Sequence, residues 1–510
     1  MITIISAKCV GIQAVPVKVE VDISTGIGIH LVGLADAAVK ESLLRTVTAL
    51  QSSGFKVPGK KMVINLAPAD MRKQGTGYDL PIALGIIAAS GQACMSGLEN
   101  YAVMGELGLD GSLRGVPGVL PVVDMAAREG LSGCILPSES VAEALDYGGT
   151  GILGAGSLAE AVDILCGRSG GSLTVKPAPS GPVREDADIM DFSEIIGQDG
   201  AKRGLEIAVA GGHNLLMIGP PGAGKSSLAK ASAALLPPMG RDEAALVSKI
   251  YSVAGLNPGG LMRKRPFRAP HHSASLAALI GGGNGDSIMP GEISLAHAGI
   301  LFLDEFVHFP KAATEALRAP LEDRKVVISR LRSRVEFPAS FMLIAAANPC
   351  PCGYYGDGDR CTCTPGQRRQ YLSHLSGPIM DRLDVQLMVE SVPAADLVDR
   401  KPSGVRETSA QVAERVAAAR RIQMERLKGE GIFTNAEMTS RQVRKHCRLS
   451  EECKSVLERI IGRLGLSARA YVRIIKLART IADLQAAGEI RPEHIAEAAS
   501  YRFLDRQKLF

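Results

Sequence analysis

Three short runs of the chain are apolar at every position: Leu215–Ile218, Ile300–Leu303 and 341–347. An unbroken apolar run of this length predicts a strand covered on both faces, as in a parallel sheet. Elsewhere the pattern alternates. Val17, Val19, Val21 and Ile23 fall on one face of an extended segment, with Lys18, Glu20 and Asp22 on the other, the pattern of a half-buried strand. Residues 36–50 and 80–89 read as helices, the second apolar enough to be buried, and 61–66 as another strand. A helix is expected over 201–210 with Ser193 as its cap. Residues 408–505 are helical in pattern. Two β-rich runs, 326–328 and 335–337, flank a basic segment with no room for a helix and predict a hairpin.

Together these elements predict an α/β chain. Its 510 residues, 46% of them hydrophobic, can bury three or four domain cores. Strands and helices mix over 1–168 without a phosphate loop, as in an accessory α/β domain. Residues 169–190 turn to Gly, Ser and Pro and read as a linker. A nucleotide-binding core with a parallel sheet is expected over 191–400, and a helical lid over 401–510. The net charge of +5 is mild, so any site for a polyanion must be a local cluster. The opening Met1-Ile2-Thr3-Ile4-Ile5 is too soon broken for a signal peptide or membrane span, so a cytoplasmic protein is expected. Cys9, Cys94, Cys134 and Cys166 are then reduced core residues.

The chemistry sits where the apolar strands end. After Ile218 comes Gly219-Pro220-Pro221-Gly222-Ala223-Gly224-Lys225-Ser226-Ser227, a G-x-x-x-x-G-K-S loop opening a helix. Strand, glycine loop and helix make a phosphate site, in which backbone N–H groups and the helix N-terminus face the phosphates. Lys225 would meet the β- and γ-phosphates of ATP, and Ser226 would ligate Mg²⁺. The second strand runs into Asp304 and Glu305. Asp304 would hold Mg²⁺ and Glu305 would polarise the attacking water. Asn348, ending the third strand, can position that water. These are the parts expected for ATP hydrolysis.

Within 348–366, Cys350, Cys352, Cys361 and Cys363 give C-x-C-x₈-C-x-C in a glycine-rich loop. Four thiolates in one short loop suit tetrahedral Zn²⁺; disulfides or an iron–sulfur cluster are the competing uses. Arg330, Arg332 and Arg334 alternate in the predicted hairpin and would share one face where the chain stays extended, suited to successive DNA phosphates. A solvated turn is the alternative. His271 and His272 receive no chemistry.

The order of the phosphate loop, carboxylate strand and Asn348 strand resembles that of AAA+ ATPases. Asn65-Leu66-Ala67-Pro68-Ala69-Asp70, Gly75-Thr76-Gly77-Tyr78-Asp79-Leu80-Pro81 and Asp110-Gly111-Ser112-Leu113-Arg114 resemble the Lon-protease-like domain (S5 domain 2-like) of magnesium-chelatase-related proteins. Gly77 stands near the family's nucleophilic serine and Gly118 near its lysine, so a non-proteolytic scaffold or DNA-contacting platform is expected. With Phe267-Arg268-Ala269-Pro270-His271-His272 and Gly291-Glu292-Ile293-Ser294 added, nearly the whole chain is similar to the ComM/YifB competence group of magnesium-chelatase-like AAA+ proteins. The resemblance implies a homo-hexameric ring, acting as a DNA helicase in branch migration during natural transformation. It also implies an arginine finger at Arg382, which could instead pair with Asp381 or Asp384. It places Arg469, with Arg473 as second choice, on the nucleotide of the same chain. A magnesium-chelatase-like subunit remodelling a protein partner is the alternative reading, and a protease motor the weakest.

Overall fold

The computed structural model describes residues 1–168, 190–283, 288–330, 334–356, 360–375, 377–392 and 407–506. The linker expected at 169–190 lies outside them except for Met190, and so do Arg332 and Ser376.

Residues 2–165 build a seven-stranded mixed sheet. Its strand order is Gly28–Val32, Lys61–Ala67, Gln13–Ser24, Ile2–Val10, Tyr101–Val103, Gly133–Pro137 and Gly151–Ala155. The alternation read in the sequence decides which face each side chain takes. Val17, Val19 and Val21 enter one buried layer under the helices Ala37–Ser52, Asp79–Ala89 and Leu158–Leu165. Ala14, Cys134 and Leu136 enter the opposite layer, under Val119–Arg128 and Ser138–Leu145. Asp36 caps its helix by accepting from the backbone N–H of Val39 at 2.8 Å. The helix predicted as buried has every residue from 79 to 87 out of solvent.

The second sheet has five parallel strands in the order Phe267–Arg268, Ile300–Leu303, Met342–Ala347, Leu215–Ile218 and Val385–Met388. The three all-apolar runs are its centre. Successive side chains feed opposite cores: Leu215, Met217, Ile344 and Ala346 one, Leu216, Ile218, Leu343 and Ala345 the other. Such strands cannot alternate polar and apolar, because neither face meets water. Helix Asp199–Gly211 covers one face, but Ser193 does not cap it. Ser193 lies in a separate 3-10 turn, Phe192–Glu194, where Asp191 accepts its backbone N–H at 2.8 Å. The nearer capping box captured the serine.

The helices Ser409–Arg426, Ser440–His446, Glu451–Leu464, Ala468–Leu484 and Pro492–Ser500 form the C-terminal bundle. It docks beside the residues that precede the sheet. His213 bonds Thr480 at 2.8 Å and Asp384 at 3.1 Å, and Gln423 donates to the carbonyl of Ala210 at 3.0 Å. The N-terminal unit grips the core through helix Arg241–Val253. The backbone N–H of Gly118 donates to the Ser252 carbonyl at 2.9 Å, and Lys249 pairs with Asp124 at 3.0 Å. The expected hairpin is present as Lys325–Ser329 paired with Arg334–Pro338, with Val326, Ile328, Val335 and Phe337 buried beneath it.

Candidate functional site

In a parallel sheet every strand delivers its C-terminal end to the same edge, which is where ligands of such sheets bind. The apolar strands therefore bring their polar ends together from distant parts of the sequence. Gly224 has φ +89°, a backbone that side chains rarely adopt, and it turns the loop into helix Lys225–Ser232. Lys225 is nearly buried. Its ammonium donates to the carbonyls of Gly219 at 2.6 Å and Pro220 at 2.9 Å, and to Asn348 Oδ1 at 3.1 Å. Burial lowers its pKa from the ordinary lysine value, with Asp304 pulling the other way. The Ser226 hydroxyl donates to Asp304 Oδ2 at 2.6 Å, so the two expected Mg²⁺ ligands already converge. A hydroxyl and a carboxylate are hard oxygen donors that fit Mg²⁺.

Glu305 follows in the left-handed region at φ +50°, with its N–H bonded to Asp304 Oδ1 at 2.9 Å. That turn leaves its carboxylate half-exposed at 54%, within reach of solvent water. Its partner is His272, whose Nδ1 lies 3.1 Å from Glu305 Oε2. The His271 ring packs on His272 with centroids 4.1 Å apart, and His308 lies 6.1 Å from His272. Sequence reading found both histidines and gave them no role. Their signal was position: they follow Phe267–Arg268, which pairs with the carboxylate strand, so they share its functional edge.

The four cysteines of the C-x-C-x₈-C-x-C motif also converge. Their sulfurs all lie within 4.8 Å of one another. Cys352 is pulled down to about 6 by the backbone N–H of Tyr354 and the Cys350 thiol, whereas burial pushes Cys350 up to about 12.

The arginines divide differently from the expectation. Arg469 pairs with Asp381 at 3.3 Å and Arg473 with Asp384 at 2.7 Å. Asp384 precedes the strand Val385–Met388, and its backbone N–H donates at 2.9 Å to the carbonyl of Asn214, just before the phosphate-loop strand. This is the opposite edge of the sheet from Lys225. The structure therefore does not bring Arg469 beside the phosphate loop of its own chain, where the contact in cis was expected; the bundle docks on the far edge. Arg382 lies there too, 9% exposed, bonded to the Pro378 carbonyl at 2.6 Å and paired with Glu322 rather than Asp381 or Asp384. Arg382, Arg469 and Arg473 all line a cavity of ≈1640 Å³ that contains none of the phosphate-loop residues. Arg330 and Arg334 are exposed on the hairpin, Arg334 at 3.7 Å from Glu336.

Comparison with known proteins shows the family. Residues 191–397 match the family described as magnesium chelatase, subunit ChlI; residues 19–140 match subunit ChlI of Mg-chelatase, and 406–502 its C-terminal part. Competence protein ComM of Haemophilus influenzae is 43% identical over 99% of this chain and 98% of its own. YifB of Salmonella typhimurium is 43% identical over 97% and 96%, and Rv2897c of Mycobacterium tuberculosis 38% over 96% of each. With strand ends, phosphate loop and full-length identity in agreement, the chain belongs to the ComM/YifB type of the magnesium-chelatase-like family.

Proposed function

We propose that this protein is an ATP-hydrolysing motor that assembles as a homo-hexameric ring and acts on DNA, as a helicase promoting branch migration in transformation or recombination. The observation that carries the ATPase is the convergence of Lys225 with Asn348 and of Ser226 with Asp304 beside a solvent-reaching Glu305. Mg²⁺, held by Ser226 and Asp304, would neutralise phosphate charge. Lys225 meets the phosphates, Glu305 takes the proton of the attacking water, and Asn348 orients that water. His272 holds the Glu305 carboxylate toward the strand edge.

The ring reading rests on the arginines. Arg382 and Arg469 face a cavity at the edge remote from their own phosphate loop, so both are read as serving the nucleotide of a neighbouring subunit. DNA as substrate is supported by the Haemophilus relative, a competence protein, and by the exposed Arg330 and Arg334. The N-terminal unit is read as a Lon-like platform without protease chemistry. Gly77 and Gly118 carry no nucleophile, and burial pushes the nearby Cys9 thiol up to about 12. The four cysteines are read as one Zn²⁺ site, and the protein as cytoplasmic; no helix among the described residues is long and apolar enough to cross a membrane. ATP hydrolysis measured with and without forked DNA tests the reading. Stimulation by a protein partner, with indifference to DNA, would favour the chelatase-like alternative that the family description supports.

A further inference from the structure

The cysteine loop is not a separate appendage: it forms one wall of the nucleotide site. Cys350 stands two residues after Asn348, which takes a hydrogen bond from Lys225 at 3.1 Å. The Tyr371 hydroxyl faces the backbone N–H of Asn348, which offsets part of the rise that burial gives its pKa. Tyr371 belongs to helix Pro365–Leu372, which begins just after Cys363 and is capped by Thr364. The four thiols therefore join the end of the Asn348 strand to the start of the helix that holds Asn348 from its other side. Gly353 completes the wall. Its φ is +87°, and a Cβ there would meet Pro221 of the phosphate loop at 2.6 Å. The cysteine loop and the phosphate loop are packed without room for a methyl group.

The sulfur geometry is that of a mononuclear site. Cys350 and Cys352 are 3.3 Å apart, Cys350 and Cys361 3.8 Å, and Cys352 and Cys361 3.7 Å. A tetrahedron with Zn–S of about 2.3 Å has edges of about 3.8 Å. A disulfide needs about 2.05 Å, and an iron–sulfide cluster would spread the thiolates further. Among the described residues of 348–364 no strand or α-helix supplies backbone pairing, so a metal is what would fix this wall.

We propose that Zn²⁺ bound by Cys350, Cys352, Cys361 and Cys363 sets the geometry of the nucleotide site through Asn348 and the Gly353–Pro221 contact, making ATP affinity and turnover dependent on metal occupancy. This rests on the zinc and ATPase readings above. The metal does no chemistry on ATP; it is a strut, and thiol oxidation or chelation would release it.

The experiment combines zinc content, affinity for a fluorescent ATP analogue and hydrolysis rate, all on the full chain. Wild-type protein purified without chelator should carry about one Zn²⁺ per chain. Chelator-stripped protein should bind the analogue at least about tenfold more weakly, the scale of effects transmitted through metal-site surroundings, and recover on adding Zn²⁺. Cys361→Ser/Cys363→Ser should lose zinc and fail to recover. Gly353→Ala keeps every thiol and should retain zinc while losing several-fold in affinity and rate; it decides the matter if stripped protein aggregates. Wild type without metal overturns the zinc reading and the proposal with it. Zinc-loaded wild type that binds no ATP overturns the ATPase reading. Zinc present, with affinity and rate unchanged on its removal and in Gly353→Ala, overturns the strut alone.

Discussion

At the scale of single residues, the account turns on two neighbouring carboxylates with different tasks. Asp304 is bonded to Ser226 and to the N–H of Glu305, so it is fixed. Glu305 pairs with His272 and reaches solvent. Lys225→Ala is expected to abolish binding of a fluorescent ATP analogue, because it removes the ammonium that meets the phosphates. Glu305→Gln should keep that binding and lose about a hundredfold or more in hydrolysis, the usual worth of a positioned general base. Equal hydrolysis in Glu305→Gln and wild type removes Glu305 from the reaction. Lys225, Ser226, Asp304 and Asn348 were legible in the sequence because each sits next to an apolar strand. The His272–Glu305 pair was not. It joins residues 33 positions apart across adjacent strands, and no local pattern encodes such a contact.

At the scale of elements, the hairpin and the carboxylate-strand neighbourhood each make a prediction. Changing Arg330, Arg332 and Arg334 together to Ala should weaken DNA binding and flatten its salt dependence. Three lost phosphate contacts reduce the slope of log K against log salt by about 2 to 3. An unchanged slope would show that the hairpin is not the DNA grip. His297 predicts an acid sensitivity. Burial, aided by Arg265, lowers its pKa from 6.5 to about 4, and its Nδ1 accepts the backbone N–H of Ser340 at 3.0 Å. The folded chain therefore keeps His297 neutral while the unfolded chain takes up a proton below 6.5. Its contribution is complete above that pH and is lost as pH falls toward about 4, amounting to about 2 kcal/mol at pH 5. Urea unfolding of wild type and His297→Asn at pH 7 and 5 measures it; equal pH sensitivity in both would exclude His297. The elements themselves were legible wherever the hydrophobic period was unmixed, as in the three apolar strands and helix Asp79–Ala89. The expectation for Ser193 failed because Asp191 and Glu194 form a capping box around it first.

At the scale of the whole molecule, what the sequence could not disclose was where the helical bundle sits. Its helices were plain from their period, but the docking surface is made by His213, Asn214 and Asp384, which gather only when the sheet closes. That placement carries Arg469 to the edge remote from its own phosphate loop and beside Arg382. The proposed ring, in which each subunit lends arginines to the next, rests on that placement. Arg382→Ala protein should bind ATP yet hydrolyse it about a thousandfold more slowly, as when an arginine finger is lost. Mixing it with Lys225→Ala protein should restore part of the activity, since some interfaces then pair an intact Lys225 with an intact Arg382. No recovery in subunits shown to co-assemble would place Arg382 outside the reaction in trans. The central claim, a motor whose ATP hydrolysis is spent on DNA, is tested most directly by the steady-state ATPase rate of the wild-type protein with and without forked DNA. The account predicts a several-fold rise with the fork; a rate indifferent to forked, single-stranded and duplex DNA alike would contradict it.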